Sequence, residues 1–142
     1  MQAVDEKVLA RVTECLSEGK TCWLATVVAT YGSSPRPVGS LLTCNSNGEI
    51  VGSLSGGCVE DDLLEKLTRG QLANERAQFF RYGDDEAEAE KLGLPCGGHL
   101  DIVVEALKAP MLPHFEEITR RVGARHLCQR TVNLRDRSIV TN

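Results

Sequence analysis

The sequence predicts an α+β domain: a mixed β-sheet with an Asn-Gly hairpin, covered by about four helices. Three observations lead there. Apolar residues recur at helical spacing near the start of the chain and again near its end. Between those stretches lie several short runs rich in β-branched residues. Two of the runs are separated by Asn45-Ser46-Asn47-Gly48, a strong hairpin signal. No Gly-x-Gly-x-x-Gly follows any run, so no dinucleotide-binding Rossmann unit is expected in this chain. A length of 142 residues suits one domain over 1–142, with enough chain to build a core.

Taken in order, Val4, Val8, Val12 and Leu16 repeat every four residues, widened by Leu9 and Cys15, and predict an amphipathic helix stopped at Gly19. Residues 22–29 form a continuous apolar run and read as a strand buried on both faces. A loop of breakers, 30–39, follows, in which Pro35 and Pro37 stiffen the backbone on either side of Arg36. Residues 40–44 and 49–54 are the hairpin strands. Val59, Leu63, Leu64 and Leu67 give the next helix its buried face, with Glu60, Asp61 and Asp62 in its first turn and Gly70 beyond its end. Further strands are expected at 77–82, 99–107 and 125–134, a short acidic helix at 84–91, a helix from Phe115 to a stop at Gly123, and a last strand at 139–140. The chain ends without a closing element, which predicts the N-terminal part of a longer protein.

Composition narrows the function. A net charge of −4 and a pI near 5.4 argue against nucleic-acid binding, as does the absence of aromatics interleaved with Lys or Arg. The first residues carry neither a basic nor an apolar leader segment, and no run is long enough to span a bilayer, so the expectation is a cytoplasmic protein without a membrane. Six cysteines without a secretory signal read as reduced thiols. Four of them, Cys15, Cys22, Cys44 and Cys128, sit in apolar patterns and read as small core hydrophobes.

Cys58 and Cys96 are set apart by their glycines. In Ser53-Leu54-Ser55-Gly56-Gly57-Cys58-Val59-Glu60 a strand-like run passes through two glycines into a helix. Glycines there let a ligand approach the backbone, the first helical amides lack intrahelical acceptors and bind anions, and a helix start favours the thiolate form of a cysteine. Cys96-Gly97-Gly98 repeats the device in reverse order. Ser33, Ser34 and Arg36, Ser55 to Cys58, and Cys96 to Gly98 together make a candidate site of hydroxyls, amides and soft thiols for an anionic ligand. Asp61 and Asp62 must point outward for such a site to work, while Glu60 is a candidate acceptor for a donor-rich ligand. Three competing readings exist. A zinc site from Cys58, Cys96 and His99 lacks a second paired half. A cysteine hydrolase built on Cys58 has only His99, His114 and His126 to serve as base, and no motif ties one to it. Tight backbone packing with inert thiols is the structural alternative.

The ordered set 32–40, 52–60, Tyr82-Gly83 and Leu94-Pro95-Cys96-Gly97-Gly98 resembles the XdhC/CoxI family, with a motif core of about 22–105. The resemblance implies an accessory protein that binds molybdenum cofactor (molybdopterin) and supports its sulfuration and insertion into an apo-molybdenum hydroxylase such as xanthine dehydrogenase. It implies cofactor contacts from Ser33, Ser34, Arg36, Ser55, Gly56, Gly57, Cys58, Glu60, Cys96, Gly97 and Gly98, with Cys58 or Cys96 facing the metal. A cysteine desulfurase partner and a homodimer are further expectations. The alternative is a sulfur-transfer enzyme acting on the cofactor through Cys58 or Cys96. Family members that continue into a Rossmann-type domain carry a fingerprint that this chain lacks.

Overall fold

The computed structural model describes residues 3–31, 36–55, 58–73, 77–83, 86–92, 99–132, 134 and 139–141. Helix α1 (Ala3–Ser17) precedes strand β1 (Cys22–Tyr31), then β2 (Leu41–Asn45) and β3 (Ile50–Gly52). Helix α2 (Cys58–Thr68) leads to β4 (Gln78–Tyr82), and α3 (Glu86–Lys91) to β5 (His99–Leu107). A single 3-10 turn (Ala109–Met111) opens α4 (Leu112–Gly123), and β6 (Arg130–Val132) and β7 (Ile139–Thr141) pair as a separate ribbon. Among the described residues no helix is long and apolar enough to cross a membrane.

The main sheet has the order β3-β2-β1-β5-β4, and every described pairing in it is antiparallel. This corrects the expected mixed sheet. A continuous apolar strand such as β1 is the usual mark of a parallel sheet covered on both faces. Here an antiparallel sheet is covered on both faces instead. Leu24 and Leu41 pack with Val8, Val12 and Leu16 of α1 and Phe115 and Ile118 of α4 on one face. Ala25, Val27, Leu42, Ile102 and Val104 pack with Val59, Leu63 and Leu67 of α2 on the other. Each fully buried aliphatic side chain in these layers contributes about 1.5–3 kcal/mol. The segment β3-α2-β4 carries the chain from one edge of the sheet to the other, so β3 and β4 run the same way without being neighbours.

Between β2 and β3, Asn45 Oδ1 accepts the amides of Asn47 (3.0 Å) and Glu49 (3.2 Å), while Gly48 takes φ 85°. Arg11 of α1 ties this turn down through Glu49 (2.6 Å). Helices α1 and α2 end alike: Gly19 (φ 75°) and Gly70 (φ 73°) adopt the left-handed conformation, and the amides of Lys20 and Gln71 reach back to Cys15 and Lys66. Helix α4 uses the same device without glycine. Gly123 is its last residue, and the left-handed position falls to Arg125 (φ 60°), with His126 N–H bonded to Arg121 O (2.8 Å). The strand expected over 125–134 is therefore confined to Arg130–Val132, because its first residues close the helix. Cys15, Cys22 and Cys44 are buried as expected, and burial pushes the thiols of Cys22 and Cys44 up to about 12. Cys128 is only half-buried, since it lies on the segment between α4 and β6 rather than in a core-facing strand.

Candidate functional site

Strand register decides which motifs meet. Tyr31, the last residue of β1, pairs with His99, the first of β5, so residues 32–35 and 93–98 depart from the same end of the sheet. Strand β3 runs toward that end as well, and Gly52 leads from it to Ser53-Leu54-Ser55. Arg36 joins the two sides: its Nε donates to Ser53 O (3.3 Å), and its Nη2 lies 3.3 Å from Asp5 Oδ1 on α1. Asp5 also accepts the amide of Leu41 (3.1 Å). Arg36 and Asp5 thus brace the start of β2, the residue after β3 and α1 against each other.

Cys58 opens α2, and it is exposed. Glu60, two residues on, turns its carboxylate back on the loop. Glu60 Oε1 accepts the amides of Leu54 (2.8 Å) and Ser55 (2.7 Å), and the two oxygens lie 3.4 Å from Ser53 Oγ and Ser55 Oγ respectively. Asp61 is exposed, and Asp62 pairs with Lys66 one turn along the helix (2.5 Å). Burial pushes the Asp62 carboxyl up, but hydrogen bonding, first from Lys66, holds it below its ordinary value. Of the residues singled out from sequence, Arg36, Ser55, Cys58 and Glu60 are described. Ser33, Ser34, Gly56, Gly57, Cys96, Gly97 and Gly98 lie outside the described residues, although the neighbours that flank them converge on one end of the sheet.

Of the competing zinc reading, Cys58 and His99 are described and Cys96 lies outside the described residues. Among the described residues no group of three His, Cys, Asp or Glu side chains is arranged to hold a metal. His99 Nδ1 faces Asp101 Oδ1 (3.1 Å), and Arg81 grips the same carboxylate with Nε (2.7 Å) and Nη2 (3.0 Å). Arg81 is the main reason the Asp101 carboxyl sits below its ordinary range; burial opposes it, and His99 adds to it. His114 belongs to another cluster, in which Arg130 Nε donates to its Nε2 (2.9 Å), stacks over Phe115 (4.8 Å) and pairs bidentately with buried Glu105. Two adjoining cavities, of about 420 and 750 Å³, lie on the α1/α4 side and share Gly39 and Cys128. Neither is lined by Arg36, Ser55, Cys58 or Glu60.

Sequence reasoning missed Asp5, Asp101 and Glu105. A signal existed for each. Asp5 lies in phase with the buried stripe of Val8, Leu9 and Val12, and Asp101 and Glu105 alternate with Val103 on a face that should be apolar. A carboxylate in such a position needs a buried partner.

The described residues define a small α+β domain in which an exposed cysteine starts the helix that follows the edge strand of an antiparallel sheet. The family model for the XdhC and CoxI family matches residues 15–83 of this chain. It is 31% identical over 127 residues to the molybdenum cofactor insertion chaperone PaoD of Escherichia coli (strain K12), covering 84% of this chain and 38% of the relative. It is 27% identical over 105 residues to a probable xanthine dehydrogenase subunit of Bacillus subtilis (strain 168), covering 72% of this chain and 32% of that protein. A crystal structure of a xanthine dehydrogenase from Bacillus halodurans superposes with a TM-score of 0.60 at 25% identity, over 82% of this chain and 35% of that one. The chain thus spans about a third of the length of these relatives.

Proposed function

We propose that this chain binds molybdenum cofactor and supports its sulfuration and insertion into an apo-molybdenum hydroxylase of the xanthine dehydrogenase type. The observation that carries the reading is the placement of Tyr31, His99 and Ser53, which flank the motif stretches, at one end of the sheet, with Cys58 exposed at the start of α2. The donor set suits the group. When bound, the cofactor supplies a soft molybdenum centre, a dithiolene, a donor-rich pterin and a phosphate. Cys58 or Cys96 would offer soft sulfur to the metal. The amides of Gly56, Gly57, Gly97 and Gly98 and the hydroxyls of Ser33, Ser34 and Ser55 would hold the phosphate and pterin. Arg36 sets the position of Ser53 and adds positive charge beside the same loop. The chaperone and dehydrogenase relatives support this assignment.

The test is cofactor retention. The protein, Cys58→Ala and Cys96→Ala are purified from cells competent for molybdenum-cofactor synthesis, and molybdenum and oxidised pterin are measured. Near-stoichiometric cofactor in the wild type, lost in one variant, is the expected outcome; a wild type purified empty and unable to take up released cofactor refutes the reading. The alternative, sulfur transfer through a cysteine, draws on the exposure of Cys58. It predicts a persulfide on Cys58 or Cys96 and a variant that still binds cofactor yet delivers it unsulfurated.

A further inference from the structure

The loop that enters α2 is held by a carboxylate of α2 itself. Glu60 closes a ring that begins at Ser55, passes through Gly56-Gly57-Cys58 and returns to the Ser55 amide at 2.7 Å. The Leu54 amide joins the same oxygen at 2.8 Å, and two seryl hydroxyls face the carboxylate. Ser53 is held from the opposite side as well, its carbonyl taken by Arg36. Three of the four loop donors that face Glu60 converge on Oε1, and Ser55 Oγ faces Oε2, so the carboxylate is turned toward its own loop. Adjacent glycines impose the least conformational preference of any residue pair. Without an outside constraint, the residues before and after Gly56-Gly57 would sample many relative positions, and a ligand would have to order them on binding.

We propose that Glu60 is a positioning residue for ligand binding, fixing Ser55 and Cys58 relative to each other across Gly56-Gly57, and is not itself a ligand. The inference rests on the cofactor reading above and changes one part of it: the acceptor that sequence assigned to the pterin serves the loop instead. What the role requires is an oxygen at the right reach, not a negative charge.

Three variants test this. Glu60→Gln keeps an oxygen at full reach and loses the charge; Glu60→Asp keeps the charge but is one methylene short; Glu60→Ala loses both. Each is expressed beside the wild type in cells making molybdenum cofactor, and retained molybdenum and pterin are measured. In parallel, the iodoacetamide alkylation rate of Cys58 is followed by peptide mapping on ligand-free protein, which reads the geometry of the corner alone. Retention in Glu60→Gln should stay near wild type, while Glu60→Asp and Glu60→Ala fall on the order of tenfold and change the Cys58 alkylation rate several-fold. Should Glu60→Ala not fold, the Gln and Asp pair carries the same contrast. Equal retention in all variants overturns the proposal. A gain in Glu60→Ala also overturns it, because the carboxylate would then be plugging an anion site. Loss in Glu60→Gln with retention in Glu60→Asp overturns it too, by placing the charge on the ligand. If the wild type carries no cofactor, the cofactor reading fails separately. Alkylation then decides the positioning role: an altered rate in Glu60→Asp restored in Glu60→Gln supports it, and an unchanged rate overturns it.

Discussion

Gly52 is the last residue of β3 and the step from the sheet into the candidate site, and replacing it with alanine should be among the most damaging single-methyl changes in the protein. It adopts φ 95°, where an L-residue is strained. An added Cβ would stand 2.3 Å from Leu41 O, 2.7 Å from Val8 Cγ2 and 3.1 Å from Leu42 Cα. The first of these contacts is backbone of the paired strand, and the second belongs to a fully buried branched side chain of α1, so neither can give way cheaply. The left-handed conformation costs about 1–2 kcal/mol and the overpacking about 1–3 kcal/mol, for a total of about 2–5 kcal/mol. At about 4 °C per kcal/mol for a domain of this size, the midpoint of thermal unfolding should fall by roughly 8–20 °C. Gly48 supplies the control: its φ is 85°, and an added Cβ meets nothing within 4 Å. Gly48→Ala should therefore show only the conformational part, about 1–2 kcal/mol. Urea titration of both variants, with unchanged slope, measures the difference directly. Equal losses at the two positions would refute the claim that α1 and β2 crowd Gly52.

The remaining expectations concern the far side of the sheet. Arg130→Met strands Glu105, whose side chain is 3% exposed, and should cost about 3–5 kcal/mol by denaturant titration; adding Glu105→Leu to the same chain should recover most of that loss. Arg125→Gly relieves a left-handed residue at the end of α4 and should raise stability by about 0.5–1 kcal/mol, read as a higher unfolding midpoint. His114 is held below its ordinary value first by burial and then by the charge of Arg130. Its unfolded form therefore binds a proton more readily than its folded form. The stability it contributes is present above the ordinary histidine range and is lost as pH falls through about 6.5. Denaturation across pH 5 to 8 should show that slope in the wild type and a shallower one in His114→Gln.

Much of the fold was legible in the chain because it is written in local chemistry. The stripe of Val8, Leu9, Val12 and Leu16, the glycines that cap α1 and α2, and the run of β1 each follow from spacing or backbone freedom within a few residues. The antiparallel sheet was not legible, because a doubly covered antiparallel strand and a parallel one present the same apolar run. The end of α4 was missed because Gly123 gave a conventional stop signal, while the chain used Arg125 two residues later.

What the sequence determined by itself is most of the helices and strands and the resemblance to the family whose model matches residues 15–83. What only the tertiary structure decided is partnership. Register brought Tyr31 beside His99, and the hairpin brought Arg36 to Ser53. Burial chose Asp5 for Arg36 and Glu105 for Arg130, and a helical turn folded Glu60 back on its own loop. These contacts join residues that are neither periodic nor close in the chain, apart from the short return of Glu60. Each is settled by which polar groups lose water together when the sheet and helices close, and that is a property of the whole packing rather than of any local stretch.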